Sequence, residues 1–417
     1  MNGFGMPARP ALAGRRARVA VIITKLEGGA GVQALRGATA LRDDFDITVV
    51  TGSGDRLLAQ AAAAGLDVLV EPSLRTPIAP RADLTALRRL GSLLGRWGFD
   101  VVHTHTAKAG VLGRIAAHRA GAGRIVHTYH GFPFHEFQSA ARRSAYVAIE
   151  RRLGRITDLA LCVGTGVAVE AVRRGLLPPE RIRTIGVAVE GADRPGPVAV
   201  DGAGDPAARA RARHALGLPL DATVVGAVGR LTYQKAPEDF LAALRLLGRP
   251  GVTGVWVGGG DLAGKVADLA RQQPAAPVIL AGERADVAGL LPAFDVFALP
   301  SRYEGLPTAV VEAMVCGVPV VATAVNAVAD VVVPGETGLL VPPQRPDLMA
   351  GALRYLLDRP GLAAGMARAA RRRIGDAYGM AALREALTCA YTPDVGGPTP
   401  HRPAQRRILG PMALIRG

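Results

Sequence analysis

The chain has 417 residues, of which 49% are hydrophobic, and a formal net charge of +15; this excludes a disordered scaffold and leaves room for two domains of roughly 180 residues. The charge favours anionic partners such as nucleotide phosphates or an acidic membrane surface, whereas aromatics make up only 4% of the chain and are not interleaved with the basic residues, which speaks against nucleic acid. Cys162, Cys316 and Cys389 are too scattered for a disulfide framework or a zinc ribbon, and no run of about 18 apolar residues marks a membrane span.

Residues 1–17 read as a flexible basic leader, because the apolar run "VAVIIT" is too short for a signal peptide before Lys25 and Glu27 interrupt it. From there short apolar runs alternate with helical stretches: "RVAVIIT", "ITVVTG", "DVLVEP", "DVVHTHT", "RIVHTYHG" and "LALCVG". Continuous apolar strands separated by helices predict a parallel sheet covered on both faces, a Rossmann-like domain over 18–195. A Gly- and Pro-rich stretch over 190–219 leads through a linker into a helix. The pattern then restarts with "ATVVGAVG", "GVWVGGG", "PVILAG", "VFALPS", "VPVVAT" and "GLLVP", predicting a second domain over 196–378. A periodic helix over 379–391 closes the folded part, and 392–417 reads as a flexible tail.

In open parallel sheets ligands bind outside the carboxyl ends of the strands, so two such domains face to face make a cleft. The segment "SRYEGLPTAVVEAMVCGVPVVAT" puts Glu304 in a loop after one of those strands and Glu312 about two turns into the following helix, which Pro307 opens and Gly317 ends. An isolated pair of acids is more often a solvated loop residue and a local cap, since surface acids are common. The loop "VGRLTYQK" changes that balance. It sets Arg230 and Lys235 at another strand end, where two fixed cations can neutralise the charge growing on a departing diphosphate. Only four of the 50 basic residues are lysines, so Lys235 stands out from the arginine background. The turn "VGGGD", with Gly258 and Gly259, permits close backbone approach to a ligand.

Arg230 and Lys235, the Gly-rich turn, and Glu304 separated by seven residues from Glu312 in "EGLPTAVVEAMVCGVPVVAT" together resemble the family-4 retaining glycosyltransferases, over residues of about 18 to 390. The resemblance implies the GT-B fold and transfer of a sugar from a UDP- or GDP-linked donor to an acceptor hydroxyl, making an α-glycosidic bond in glycan, glycolipid or secondary-metabolite synthesis. It implies that Arg230 and Lys235 hold the donor diphosphate and that Glu304 binds sugar hydroxyls, with the amides of Gly305 and Leu306 nearby. Glu312 would lie against the ribose, and "AGERADV", with Val287, would border the base. In the first domain, "TYHGFPFHEF" resembles the family's His-Gly loop, placing His130 beside the donor sugar and acceptor. "KLEGGAG" resembles its glycine-rich loop, bringing Gly28 and Gly29 near the transferred group, although Gly31 stands where the family carries an acid or Gln. Lys108 is the acceptor-side candidate, with a purely structural role as the favoured alternative. The expected catalytic set is Arg230, Lys235, His130 and Glu304, with no metal and no cofactor.

Rival readings remain. "GGAGVQA" is a loose dinucleotide fingerprint, but Asp43, Asp44 and Asp46 precede the second strand instead of ending it. His103 and His105 share one strand face, and with His127 and His130 only near in sequence the cluster falls short of a zinc site. "DFD" at 44–46 reads as a solvated turn. In the helix over 141–156, Tyr146, Ile149, Leu153 and Ile156 are expected to face the core with arginines outside; the functional version of that basic face is peripheral contact with an anionic membrane. The expected location is the cytoplasm, with the inner membrane face as the site of that contact. A sugar-nucleotide 2-epimerase of GT-B fold is the enzymatic alternative, and a peripheral-membrane or nucleotide-binding module without catalysis is the alternative of another class.

Overall fold

The computed structural model describes residues 15–192 and 205–392; the leader up to residue 14, the linker over 193–204 and the tail from 393 lie outside the described residues. The first half runs β1 (Arg18–Lys25), α1 (Gly28–Leu41), β2 (Asp46–Ser53), α2 (Arg56–Ala63), β3 (Asp67–Val70), α3 (Pro80–Trp97), β4 (Val101–His105), α4 (Ala107–Ala120), β5 (Arg124–Tyr129), α5 (Ala140–Gly154), β6 (Leu159–Cys162), α6 (Thr165–Arg173) and β7 (Ile182–Thr184). The second runs α7 (Pro206–Ala215), β8 (Thr223–Val228), α8 (Pro237–Leu247), β9 (Val252–Val257), α9 (Ala263–Arg271), β10 (Val278–Leu280), α10 (Val287–Leu290), β11 (Val296–Leu299), α11 (Thr308–Val315), β12 (Val320–Thr323), α12 (Val328–Val331) and β13 (Leu339–Val341). The helices α13 (Pro346–Leu357), α14 (Pro360–Ile374) and α15 (Met380–Tyr391) follow. Strand β7, only three residues long with two of them exposed, has no apolar run to announce it.

The strands form two parallel sheets, ordered β3-β2-β1-β4-β5-β6-β7 and β10-β9-β8-β11-β12-β13. This is the GT-B architecture. Side chains alternate across each sheet. Val19, Val21 and Ile23 of β1 face α1 and α15, whereas Ala20 and Ile22 face α3 and α4. Both faces are dry, which is why these strands read as unbroken apolar runs. Helix boundaries follow local chemistry: α8 opens on Pro237 and stops at Gly248, whose φ of 56° lies in the left-handed region.

Each sheet reverses its winding once, between β1 and β4 in the first and between β8 and β11 in the second. At such a switch point the loops leaving adjacent strands diverge to opposite faces and open a crevice. Apolar packing ties the halves together in two places. One apolar cluster runs from Phe134, Cys162 and Val187 of the first half into Leu306, Val310 and Val325 of the second. The chain also crosses back at its end, where Leu383, Leu387 and Tyr391 of α15 pack into the core of the first sheet.

Candidate active site

The loops at the second sheet's switch point carry the charge. Lys235, in the loop after β8, and Glu304, in the loop after β11, form an ion pair at 2.5 Å. Both side chains are largely buried, and the Glu304 carboxylate also accepts from Ser301 Oγ at 2.6 Å and Gln234 Nε2 at 3.2 Å. Glu304 is thus neither solvated nor free. Arg230, five residues before Lys235, is exposed, and its side chain makes no hydrogen bond or ion pair among the described residues. The main chain of the Glu304 loop is pinned as well, since Asn326 Nδ2 donates to the Glu304 carbonyl.

The glycines of this region serve close packing between loops. A Cβ on Gly258 would lie 2.2 Å from the Gly229 carbonyl oxygen, and one on Gly259 would lie 2.9 Å from Glu283 Cγ. At this turn the backbone runs close against the neighbouring Arg230 loop, which presses the two strand-end loops together. Val287 opens α10 half-buried, and the segment before it is met from the first domain by Arg56, whose Nη1 donates to the Ala285 carbonyl at 3.3 Å.

Glu312 lies one turn into α11, which starts at Thr308, not the two turns expected from the sequence, because Pro307 is the cap preceding the helix. Its carboxylate is 3.7 Å from Arg36 Nη2 of α1, across the domain boundary, and Glu190 is equally far from the same nitrogen. Burial pushes the Glu312 carboxyl above the usual range, Arg36 pulls it down and Glu190 adds to the rise. Leu306 is buried in the cluster shared by the two halves.

From the first domain, Gly28 and Gly29 begin α1, and a Cβ on Gly29 would lie 3.7 Å from Thr308 Oγ1, so the amino ends of α1 and α11 face each other. Nothing lies within 4 Å of a Cβ on Gly28. Gly31 has a physical reason to depart from the family pattern: its Cβ would meet the Leu26 carbonyl carbon at 2.8 Å, so α1 is seated on the end of β1 where no larger residue fits. His130 follows β5, and its carbonyl oxygen would be 2.0 Å from a Cβ on Gly305. This backbone contact joins the His-Gly loop to the Glu304 loop. Burial lowers the His130 imidazole to about 4, so the ring is neutral at physiological pH. Lys108 is held by Asp83 at 2.7 Å and by the Pro77 carbonyl, which is the structural alternative for this residue.

The histidines gather more closely than their spacing suggested. His103 and His105 have ring centroids 4.1 Å apart, and His105 Nδ1 lies 2.9 Å from His130 Nε2. His127 faces the other side of the sheet and bonds Thr104 Oγ1 at 2.8 Å. Among the described residues no group of three or more His, Cys, Asp or Glu is arranged to hold a metal ion. The "DFD" turn is not simply solvated: Asp44 pairs with Arg384 of α15 and Phe45 packs edge-on to Tyr391. In α5 the inward face is Val147, Glu150 and Leu153, whereas Ile149 is exposed; the expected stripe is displaced because Glu150 turns inward to pair with the fully buried Arg114 at 2.8 Å. No described helix is long and apolar enough to cross a membrane.

Sequence reasoning did not single out Ser301, Gln234, Asn326 or Arg36. Asn326 carried a usable signal, standing just past the end of a strand in "VATAVN". With φ of 43° it is, among the described residues, one of four non-glycine residues in the left-handed region, together with Thr106, Ala236 and Gln344. Thr106, Ala236 and Asn326 sit in loops at the cleft ends of β4, β8 and β12, as strained residues at functional sites do. An aromatic contact crosses the cleft nearby, where His135 stacks on Tyr303 at 4.0 Å.

The chain's likenesses agree with this geometry. Residues 27–190 match the family described as Glycosyltransferase Family 4, and residues 222–359 match that of group 1 glycosyl transferases. The chain is 31% identical over 264 residues to the UDP-Gal:alpha-D-GlcNAc-diphosphoundecaprenol alpha-1,3-galactosyltransferase of Escherichia coli, a match covering 61% of this chain and 65%, just under two thirds, of that protein. It is 29% identical over 370 residues to the D-inositol 3-phosphate glycosyltransferase of Thermobispora bispora, covering 79% of this chain and 82% of that one. The crystal structure of Anabaena HepE in complex with UDP and glucose superposes with a TM-score of 0.75 at 20% identity, over 89% of this chain and 98% of HepE. With both halves of the chain matched and the two sheets facing across one cleft, the protein belongs to glycosyltransferase family 4.

Proposed function

We propose that the protein transfers a glycosyl group from a UDP-sugar to an acceptor hydroxyl with retention, forming an α-glycosidic bond. The observation that carries this reading is the convergence of Arg230, the Lys235–Glu304 pair and the amino end of α11 at one switch point, closed from the other domain by His130. A diphosphate entering there meets Arg230, which has no competing partner among the described residues, and Lys235, which already has one carboxylate and presents its charge to a second anion. The UDP-sugar donor in the galactosyltransferase's name and the UDP in the HepE complex support a UDP-linked donor.

In this mechanism the anomeric C–O bond lengthens and charge moves onto the diphosphate, where the two cations stabilise it more in the transition state than in the ground state. The sugar takes on oxocarbenium character while Glu304 grips its hydroxyls. The departing phosphate oxygen accepts the acceptor's proton as the new bond forms on the same face, so no separate base is required. The contact between the His130 carbonyl and Gly305 closes the cleft and excludes water that would hydrolyse the donor. Because two fixed cations take the diphosphate charge, no metal is needed and activity is expected to survive EDTA.

The test is a panel of nucleotide sugars scored by thermal shift, followed by incubation of the stabilising donor with and without acceptors. UDP release that depends on acceptor, with an α-linked product by NMR, supports the proposal. Epimerised donor in the absence of any acceptor would sink it. The exposed arginines of α5, among them Arg142, Arg151 and Arg152, support peripheral contact with an anionic membrane; failure to cosediment with anionic liposomes at low salt would remove that part.

A further inference from the structure

Behind the cleft, four side chains form a buried column that the transfer mechanism does not use as such. Tyr391 OH of α15 lies 2.7 Å from His103 Nδ1, and His103 Nε2 lies 2.7 Å from Thr128 Oγ1. The His103 ring packs on His105, and His105 stacks against His130 at 5.2 Å between centroids with Nδ1 2.9 Å from His130 Nε2. A cavity of about 20 Å³ borders the three imidazoles. The carboxyl end of β4 is held rigidly where His105 leaves it, because Thr106 adopts φ of 64°, costly for a β-branched residue, and lies 3.0 Å from Thr24 Oγ1 through its own hydroxyl.

Burial holds every imidazole of the column neutral: His103 falls to about 3, His130 to about 4, and His105 well below its usual value. A neutral ring carries one N–H, so in the His105–His130 contact one nitrogen donates and the other accepts. If His130 Nε2–H donates, His105 Nδ1 is bare and both rings are protonated on Nε2, the intrinsically preferred neutral form of histidine. The reverse puts both rings in the less favoured Nδ1–H form. The first arrangement leaves His130 Nδ1 unprotonated, and this is the ring nitrogen nearer the main chain whose carbonyl abuts Gly305.

We propose that His105 is a positioning residue for His130: by accepting the Nε2–H of His130 on its own Nδ1, it fixes the tautomer and presents Nδ1 to the cleft as an acceptor for a substrate hydroxyl. The proposal rests on the role given above to His130, but its primary test does not depend on activity. The full chain, labelled with 15N-histidine and free of ligand, is examined by NMR, with His130→Gln identifying the His130 signals. Wild type and His105→Asn, whose amide oxygen replaces the Nδ1 acceptor, are expected to show His130 protonated on Nε2 and bare on Nδ1. In His105→Leu the two nitrogens should move toward averaged values, and kcat should fall roughly tenfold, as when other histidine-orienting partners are lost, with UDP affinity unchanged. An Nδ1–H signal for His130 in the wild type, unmoved His130 signals in His105→Leu, or a shifted tautomer with undiminished kcat would each overturn it. If the leucine variant does not fold, the wild-type and asparagine spectra decide. If no transferase activity exists at all, the tautomer assignment stands or falls on the spectra alone.

Discussion

The two sheets wind alike and end on surfaces of opposite electrical character. At the second sheet's switch point the loops present Arg230, Lys235 and Glu304, with the acid and the lysine paired and partly shielded from water. At the first sheet's cleft edge stand glycines and neutral imidazoles, His105 and His130 among them. Under the proposed function the same backbone solution serves two tasks. Charge is useful where a diphosphate must be gripped and its developing charge balanced. Neutral donors and acceptors are useful where hydroxyls must be oriented without trapping the product.

Lys235→Ala is the strongest way to break that comparison. It removes one of the two cations and strands the Glu304 carboxylate, and kcat should fall roughly 100- to 1000-fold with little change in acceptor KM. An unaltered kcat would show that the charged surface is not where the barrier is lowered. Acid should distinguish the two halves next. The imidazoles of His103, His105, His127 and His130 are all lowered by burial, so in the window below the usual histidine value the unfolded chain binds more protons than the folded one. Stability is then fully present above about pH 6.5 and is lost on acidification toward the folded values, at about 1.4 kcal/mol per pH unit for each histidine titrating only when unfolded. Urea unfolding followed by amide exchange at pH 7 and pH 5 should find the loss in the first sheet, and a uniform loss would contradict the contrast. A smaller effect is expected from Gly305→Ala, whose methyl would collide with the His130 carbonyl and hold the surfaces apart. A strain of about 1 to 3 kcal/mol predicts an increase of roughly 5- to 150-fold in donor KM. The least is expected from Tyr391→Phe, which deletes one hydroxyl partner of His103 and should cost about 1 kcal/mol in thermal unfolding.

The charged surface was far more legible in the sequence than the neutral one. Glu304 and Lys235 lie in loops directly after apolar strands, so their place at strand ends follows from the local pattern. Their mutual pairing does not, because it depends on β8 and β11 becoming neighbours across the winding switch, 69 residues apart in the chain. The approach of Arg36 to Glu312 is less accessible still, since it joins helices of different domains. The α5 stripe failed for a related reason. Helical spacing identifies which residues share a face, but a buried Arg114 decided that Glu150, not Ile149, would turn inward.

By itself the sequence determined the alternation of strand and helix, the two parallel sheets and the residues standing in the strand-end loops, because unbroken apolar runs, Pro and Gly act over a few residues. Only the tertiary structure decided which of those loops meet: the Lys235–Glu304 pair, the His130 carbonyl against Gly305, and the column from Tyr391 through His103 and His105 to His130. These contacts depend on strand order, on the closing of one domain against the other and on the return of α15 to the first sheet. Each is a long-range choice made by the burial of whole faces, and no local spacing encodes it.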